Sequence, residues 1–301
     1  MINICLSADN NYAPYAGVVI ASILKNSKPE EELCFYILDG GIEDINKQKL
    51  KSLVSIKSCG IHFIPVDKEK FDDYKKITTH SYISLATYYR LKLSQLLNTE
   101  VERVIYLDCD VVVNDSLAEL FNADLGDNYI GGIMDIRVKY KPKWKNKTYI
   151  NAGVLLIDLE KMRQDEIEKK FLDYTRENID NITAGDQDII NYTLSGKIKI
   201  LDDLWNVQVS SFLSRSNFTK HPKIIHYIAK KKPWKFGSYS YFKEKYFKYL
   251  SYTPWAISEK EKFKWTVLNE ICSIFNFIID KPMFLFRPKY WEAVFASILK
   301  R

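Results

Sequence analysis

A doubly wound α/β fold followed by a small, basic, helix-like C-terminal region is what the sequence predicts. Three observations predict it. Short apolar runs bounded by polar residues or glycine alternate with segments of helical spacing. A composition of 47% hydrophobic and 27% charged residues over 301 positions suits a large globular domain with a sizeable core. Charge is unevenly placed: residues 219–301 hold 17 Lys+Arg against 6 Asp+Glu, a net +11, so in a chain of net +6 residues 1–218 carry −5.

Taken in order, Ile2–Ala8, Leu33–Leu38, Gly60–Val66 and Val104–Leu107 read as buried parallel strands. Between them Tyr15–Lys25, Ile42–Ser55 and Thr87–Leu97 have helical spacing, and Asp44 and Asn46 are suitable starts for the second helix. Tyr129–Met134 and Ile150–Ile157 read as strands of the same sheet, flanking a Lys-rich loop at Arg137–Thr148. Glu160–Glu177 and Gln187–Leu194 read as helices, and Ile198–Leu201 and Lys223–Tyr227 as further strands of that sheet. After Trp234 the character changes. Gly237–Tyr252 is dense in Ser, Tyr, Phe and Lys, Lys262–Ile279 is a mostly apolar helix-like stretch, and Lys281–Arg301 mixes aromatic and basic residues. Two compatible readings follow: a helical cap packed on the main domain, or an anchor for an anionic membrane surface. No recognition motif accompanies the basic charge, so nucleic acid is not an expected partner.

Five scattered cysteines, odd in number and without CxxC spacing, predict reduced thiols and neither disulfides nor zinc. Met1 leads directly into a strand-like run without a basic leader, and no apolar run reaches membrane-spanning length. The expectation is a cytoplasmic protein, peripheral at most on the inner face of the membrane.

The chemistry begins at Val104–Asp110, where a buried strand ends in Asp108-Cys109-Asp110. In extended chain, side chains at i and i+2 point the same way, so both acids would approach one centre. Carboxylates there suit a hard divalent ion, although acids at strand ends also serve as caps and turn formers. His226, closing Ile224-Ile225-His226-Tyr227, is either a hydrogen-bonded structural histidine or the third ligand. Lys230–Lys232 beside it suits phosphate oxygens.

The sequence resembles glycosyltransferase family 8, in particular its bacterial lipooligosaccharide galactosyltransferases and glucosyltransferases. Six segments carry the likeness in order: Ser7-Ala8-Asp9-Asn10-Asn11-Tyr12, Thr87-Tyr88-Tyr89-Arg90-Leu91, Tyr106-Leu107-Asp108-Cys109-Asp110, Asn151-Ala152-Gly153-Val154-Leu155-Leu156, Gly185-Asp186-Gln187-Asp188, and His226-Tyr227 through Lys232-Pro233-Trp234. The resemblance implies a GT-A fold, with a Rossmann-like mixed sheet and helices on both faces. It implies a catalytic domain over 1–240 and a C-terminal region over 241–301. It further implies transfer of galactose or glucose from a UDP-sugar to a glycan or glycolipid acceptor, with retention and with Mn²⁺ or Mg²⁺. Residue by residue, Asp108, Asp110 and His226 would ligate the metal, and Asp9 and Asn11, near the Ala8 backbone, would contact uracil and ribose. Arg90 would reach the sugar or diphosphate, which Lys232 would also meet, and Asp135, Asn151, Asp186 and Gln187 would surround the sugar.

Structural alternatives stand beside these roles. Asp9 and Asn11 suit a helix N-cap region, Asn151-Ala152-Gly153 a bend, Asp186 a helix cap and Arg90 a surface charge. The family glycine between His-Tyr and Lys-Pro-Trp is missing from Ile228-Ala229-Lys230-Lys231. Two rival functions are a metal-dependent nucleotidyltransferase, whose Gly- and basic-rich first loop is replaced by Asp9-Asn10-Asn11, and a catalytically idle carbohydrate-binding protein of the same fold.

Overall fold

A computed structural model describes residues 1–77, 84–136, 148–209, 221–228, 232–238, 240–258, 268, 271–276, 278 and 279. Within them, strands β1 (Ile2–Ala8), β2 (Leu33–Asp39), β3 (Gly60–Pro65), β4 (Arg103–Leu107), β6 (Ile130–Met134), β7 (Ile150–Asp158) and β8 (Ile198–Ile200) form one sheet in the order β3-β2-β1-β4-β7-β6-β8. The first four strands of that order are parallel, β7 runs antiparallel to both β4 and β6, and β8 is parallel to β6. The sheet is therefore mixed, and its strand alternation divides the apolar residues between two cores. Ile4, Leu6, Ile105 and Leu107 face the helix Ala13–Asn26, whereas Cys5, Val104 and Tyr106 face the layer containing Ile167–Glu177 and Asp186–Thr193.

The expectation that Lys223–Tyr227 joins this sheet is corrected. Ile224–Tyr227 (β10) is the centre of a second, three-stranded sheet, between β5 (Val111–Val113) and β9 (Val207–Val209), two strands the sequence reading did not contain. A short, mostly apolar run is compatible with any buried sheet, so its pattern does not name its partners. The helix Ala13–Asn26 lies between the two sheets, which is why it is buried almost all round. It starts where the Asp9 carboxylate accepts the Tyr12 N–H at 3.0 Å. Helix Lys243–Leu250 seals the small sheet, with Tyr246, Tyr249 and Leu250 packed among Val18, Val112, Val209 and Ile225.

Three helix expectations change in detail. Glu160–Glu177 is two helices, Leu159–Gln164 and Ile167–Glu177, broken where Glu166 adopts a left-handed φ of 49°. Ile42–Ser55 tightens after Lys51 into a 3₁₀ turn. Thr87–Leu97 is a 3₁₀ segment, Leu85–Lys92, followed by one α turn. At three residues per turn, Thr87 and Arg90 fall on the same side of that segment. Most of Arg137–Thr148, together with Lys230, Lys231 and Lys281–Arg301, lies outside the described residues. Among the described residues no helix is long and apolar enough to cross a membrane.

Candidate active site

β4 ends beside β1, at the carboxyl edge where open α/β sheets present ligands. Asp108 follows, its N–H donating to the Gly153 carbonyl at 2.9 Å. The chain then turns at Cys109 and Asp110 rather than continuing extended. The buried Cys109 thiol pins this turn by donating to the Ser7 carbonyl at 3.2 Å. The two carboxylates thus converge through a turn, not through strand alternation. His226 arrives on β10, whose antiparallel register sets it opposite Val111, with the Tyr227 N–H donating to the Asp110 carbonyl at 2.9 Å.

One ligand-type atom from each of Asp108, Asp110 and His226 lies within 4.8 Å of the other two. His226 Nε2 is 3.1 Å from Asp110 Oδ1 and 3.8 Å from Asp108 Oδ2. Asp110 Oδ1 is buried, yet among the described residues it receives no hydrogen bond. Such an oxygen is costly unless a cation compensates it. Two carboxylates and an imidazole are a fitting donor set for Mn²⁺ or Mg²⁺.

Fixed positive charge borders the cluster. Burial alone would lower the Arg90 guanidinium, but Asp108 and Asp186 hold its pKa above the ordinary value. Nη2 donates to Asp108 Oδ1 at 2.6 Å, Nε lies 3.0 Å from Asp186 Oδ2, and Nη1 donates to the Ala152 carbonyl. The guanidinium also sits 4.3 Å above the Tyr106 ring. Arg90 is therefore not a surface charge. Burial pushes the Asp186 carboxyl up to about 6 despite Arg90. Against the same upward push of burial, Lys232 holds the Asp110 carboxyl well below the usual carboxylate range. Lys232 Nζ reaches both Asp110 Oδ2 and, at 2.6 Å, the Tyr227 carbonyl.

Next to this cluster is a buried group of amides. Gly185 has a φ of +60°, which glycine takes without strain, and it opens the helix that carries Asp186, Gln187 and Asp188. Asp188 accepts the Thr183 and Ala184 N–H groups and shapes the preceding turn. Gln187 Nε2 donates to Asp135 at 2.9 Å, while its Oε1 accepts from Asn151 Nδ2 and Ala152 N, each at 3.2 Å. Asn151 reaches this position through a bulge: the β6–β7 register passes from Gly132↔Leu155 to Ile133↔Asn151.

A cavity of about 250 Å³ opens over the cluster, and Asp9, Arg90, Asp108, Asp110, Asn151, His226 and Lys232 are among its lining residues. Asp135, Asp186 and Gln187 are buried behind that lining, joined to it through Asn151 and Arg90. Ala8 is fully buried, its carbonyl accepting from Gly40 N–H at 2.9 Å, and Asn11 is exposed away from the lining.

Residues 3–237 match the family described as Glycosyl transferase family 8. The chain belongs to glycosyltransferase family 8. A putative glycosyltransferase of Haemophilus influenzae is 36% identical over 245 residues, covering 77% of this chain and 73% of that protein. A lipopolysaccharide 1,3-galactosyltransferase of Salmonella typhimurium is 26% identical, with 84% and 79% covered. The crystal structure of galactosyltransferase LgtC with donor and acceptor sugar analogues superposes with a TM-score of 0.76 at 29% identity, covering 87% of this chain and all of that one. This family 8 chain is accordingly a glycosyltransferase with a GT-A fold, its mixed sheet flanked by helices as expected.

The reading of this family 8 sequence missed Asn206 and Gln208. Asn206 lies between His226 and Asn151, and Gln208 holds the segment carrying Asp135 through the Met134 carbonyl and the Ile136 N–H. The polar-apolar alternation of Trp205-Asn206-Val207-Gln208-Val209 was the available signal. Gly153 has an equally local role. A Cβ there would stand 2.3 Å from His226 Cε1 and 2.6 Å from Asp108 Oδ2. Gly153→Ala is therefore expected to displace both side chains, lower turnover about 100-fold and cost about 1–3 kcal/mol of stability; steady-state kinetics and thermal denaturation of the purified variant check it.

Proposed function

We propose that this family 8 enzyme transfers a hexose, galactose or glucose, from a UDP-sugar to a glycan or glycolipid acceptor such as lipooligosaccharide or another cell-surface polysaccharide, with retention of configuration. The observation that carries the reading is the convergence of Asp108, Asp110 and His226 on the cavity at the carboxyl edge of β1 and β4. The Salmonella relative, named a lipopolysaccharide galactosyltransferase, supports the sugar and acceptor class. Asp108, Asp110 and His226 would hold Mn²⁺ or Mg²⁺, which when bound offsets the charge growing on the departing diphosphate.

The chain's own groups complete the chemistry. Arg90 and Lys232 add fixed positive charge at the leaving group. Asp9, which lines the cavity, contacts uracil or ribose while its carboxylate also accepts the Tyr12 N–H; Asn11, exposed outside that lining, and the Ala8 carbonyl, which accepts from Gly40, are not placed to join it. Asn151, in the lining, meets the sugar, and the carboxylates of Asp135 and Asp186, buried behind it, stabilise its oxocarbenium-like state through their negative charge. Gln187 is a neutral amide with both ends already hydrogen-bonded, which favours a positioning role and same-face attack over a covalent intermediate. Assays of donor hydrolysis and transfer with Mn²⁺ should give signal with UDP-galactose or UDP-glucose; silence with both would overturn the donor assignment.

The division into a catalytic domain over 1–240 and a C-terminal region over 241–301 belongs to the same proposal, with Lys243–Leu250 as the joint between them. Membrane-surface attachment of the second part, at the cytoplasmic face, is supported by the exposure of its apolar residues. Asn276 donates to the Gly237 carbonyl at 3.0 Å and Ser273 is buried, while Leu268, Ile271, Phe275 and Ile279 are 50–72% exposed. Apolar groups turned outward, in a region 241–301 that holds 11 Lys+Arg against 6 Asp+Glu, match an anionic bilayer. Replacing Leu268, Ile271, Phe275 and Ile279 by serine should abolish cosedimentation with anionic liposomes and leave donor hydrolysis intact; unchanged sedimentation would refute attachment through these residues.

A further inference from the structure

The buried amides beside the metal site form a chain with a single direction. Asp135 accepts from Gln187 Nε2, so Gln187 Oε1 faces Asn151 Nδ2 and also takes the Ala152 N–H. Asn151 Oδ1 then accepts the Gly153 N–H at 3.1 Å and Asn206 Nδ2 at 3.0 Å. Asn206 Oδ1 is left as the acceptor 3.0 Å from His226 Nδ1. Main-chain N–H groups at Ala152 and Gly153 and the carboxylate of Asp135 fix each orientation, because none of these anchors can exchange donor for acceptor. Asn206 is 2% exposed, so water does not compete for either end of its amide.

Resting on the proposed metal site, we propose that Asn206 is a positioning residue that holds His226 as the Nδ1–H tautomer and ties its metal-facing Nε2 to the orientation of Gln187. A hydrogen on Nδ1 leaves the Nε2 lone pair directed at Asp108 and Asp110, the form in which imidazole binds a metal. The same amide donates toward Asn151, so the metal ligand and the sugar-pocket residues share one hydrogen-bond polarity.

Two substitutions separate these duties. Asn206→Leu can neither accept from Nδ1–H nor donate to Asn151. Asn206→Asp still accepts but cannot donate. Turning Asn151 over to meet the new carboxylate would set its oxygen against Gln187 Oε1. Turning Gln187 as well would set an amide oxygen against Asp135.

The test is Mn²⁺ titration of the donor-free protein, with free Mn²⁺ read by electron paramagnetic resonance, alongside melting temperature and donor-hydrolysis kinetics. Asn206→Leu should weaken Mn²⁺ binding by about 10–100-fold. Asn206→Asp should keep native Mn²⁺ affinity yet lose about tenfold or more in kcat, with KM little changed. Native Mn²⁺ affinity in a normally melting Asn206→Leu protein would overturn the tautomer role. Equal losses of affinity in both variants would reduce Asn206 to a structural residue, and an unchanged kcat in Asn206→Asp would overturn the link to Gln187. Failure of the unsubstituted protein to bind Mn²⁺ would instead overturn the metal site itself, and this inference with it.

Discussion

An Asp110→Ala variant is expected to lose turnover by a factor on the order of 10²–10³, together with Mn²⁺-dependent UDP binding. Asp110 occupies the centre of the cluster: one oxygen faces His226 Nε2 at 3.1 Å without a hydrogen bond, and the other pairs with Lys232. Alanine removes a proposed ligand and also releases the Lys232 ammonium from its carboxylate. The fold should survive, since the turn is pinned by the backbone at Tyr227 and by the Cys109 thiol, not by the Asp110 carboxylate. Calorimetric titration with UDP, with and without Mn²⁺, combined with a turnover assay, checks the result. A catalytically idle carbohydrate-binding protein would show no turnover even with Asp110 present, and its glycan binding would survive the substitution. Metal-independent turnover by the alanine variant at the native rate would remove the cluster from the mechanism.

Arg90→Met is expected to carry the largest stability cost, about 3–5 kcal/mol. The guanidinium is 5% exposed and joins four groups: the carboxylates of Asp108 and Asp186 and the carbonyls of Thr87 and Ala152. Methionine fills similar volume but leaves the buried carboxylate of Asp186 without its cation and two carbonyls without their donor. At a few degrees per kcal/mol for a domain of this size, the melting temperature should fall by roughly 10 °C. Arg90→Lys should recover only part of this, because an ammonium restores the charge but not the planar fork that meets four partners at once. Thermal denaturation of the metal-free protein measures both. A methionine variant that melts with the native chain would mean that Asp186 is held neutral by its burial and needs no partner.

Some of this was legible in the chain and some was not. The alternation of Ile4, Cys5, Leu6 and of Val104, Ile105, Tyr106, Leu107 announced a sheet buried on both faces, and the two cores divide along those positions. The pair Asp108 and Asp110 at a strand end was visible as a metal-type motif, though the turn that aims it was not. Arg90 was open between a surface charge and a site residue, because helical spacing does not report what packs against a face. The 3₁₀ segment, buried against Ala152 and the Asp186 helix, decided it.

By itself, then, the sequence determined the strands of the large sheet, the alternation of their core faces, and the residue types that carry the chemistry, because these follow from local periodicity and from chemical character. Only the tertiary structure decided where His226 and Asn206 sit. Ile224–Tyr227 is apolar enough for either sheet, and the alternation through Asn206 marks a strand edge without naming what its amide meets. Pairing between distant segments is set by which buried surfaces and hydrogen-bonding groups the large sheet leaves to be satisfied. That long-range accounting brings β10 against β5, and with it the imidazole to the two carboxylates.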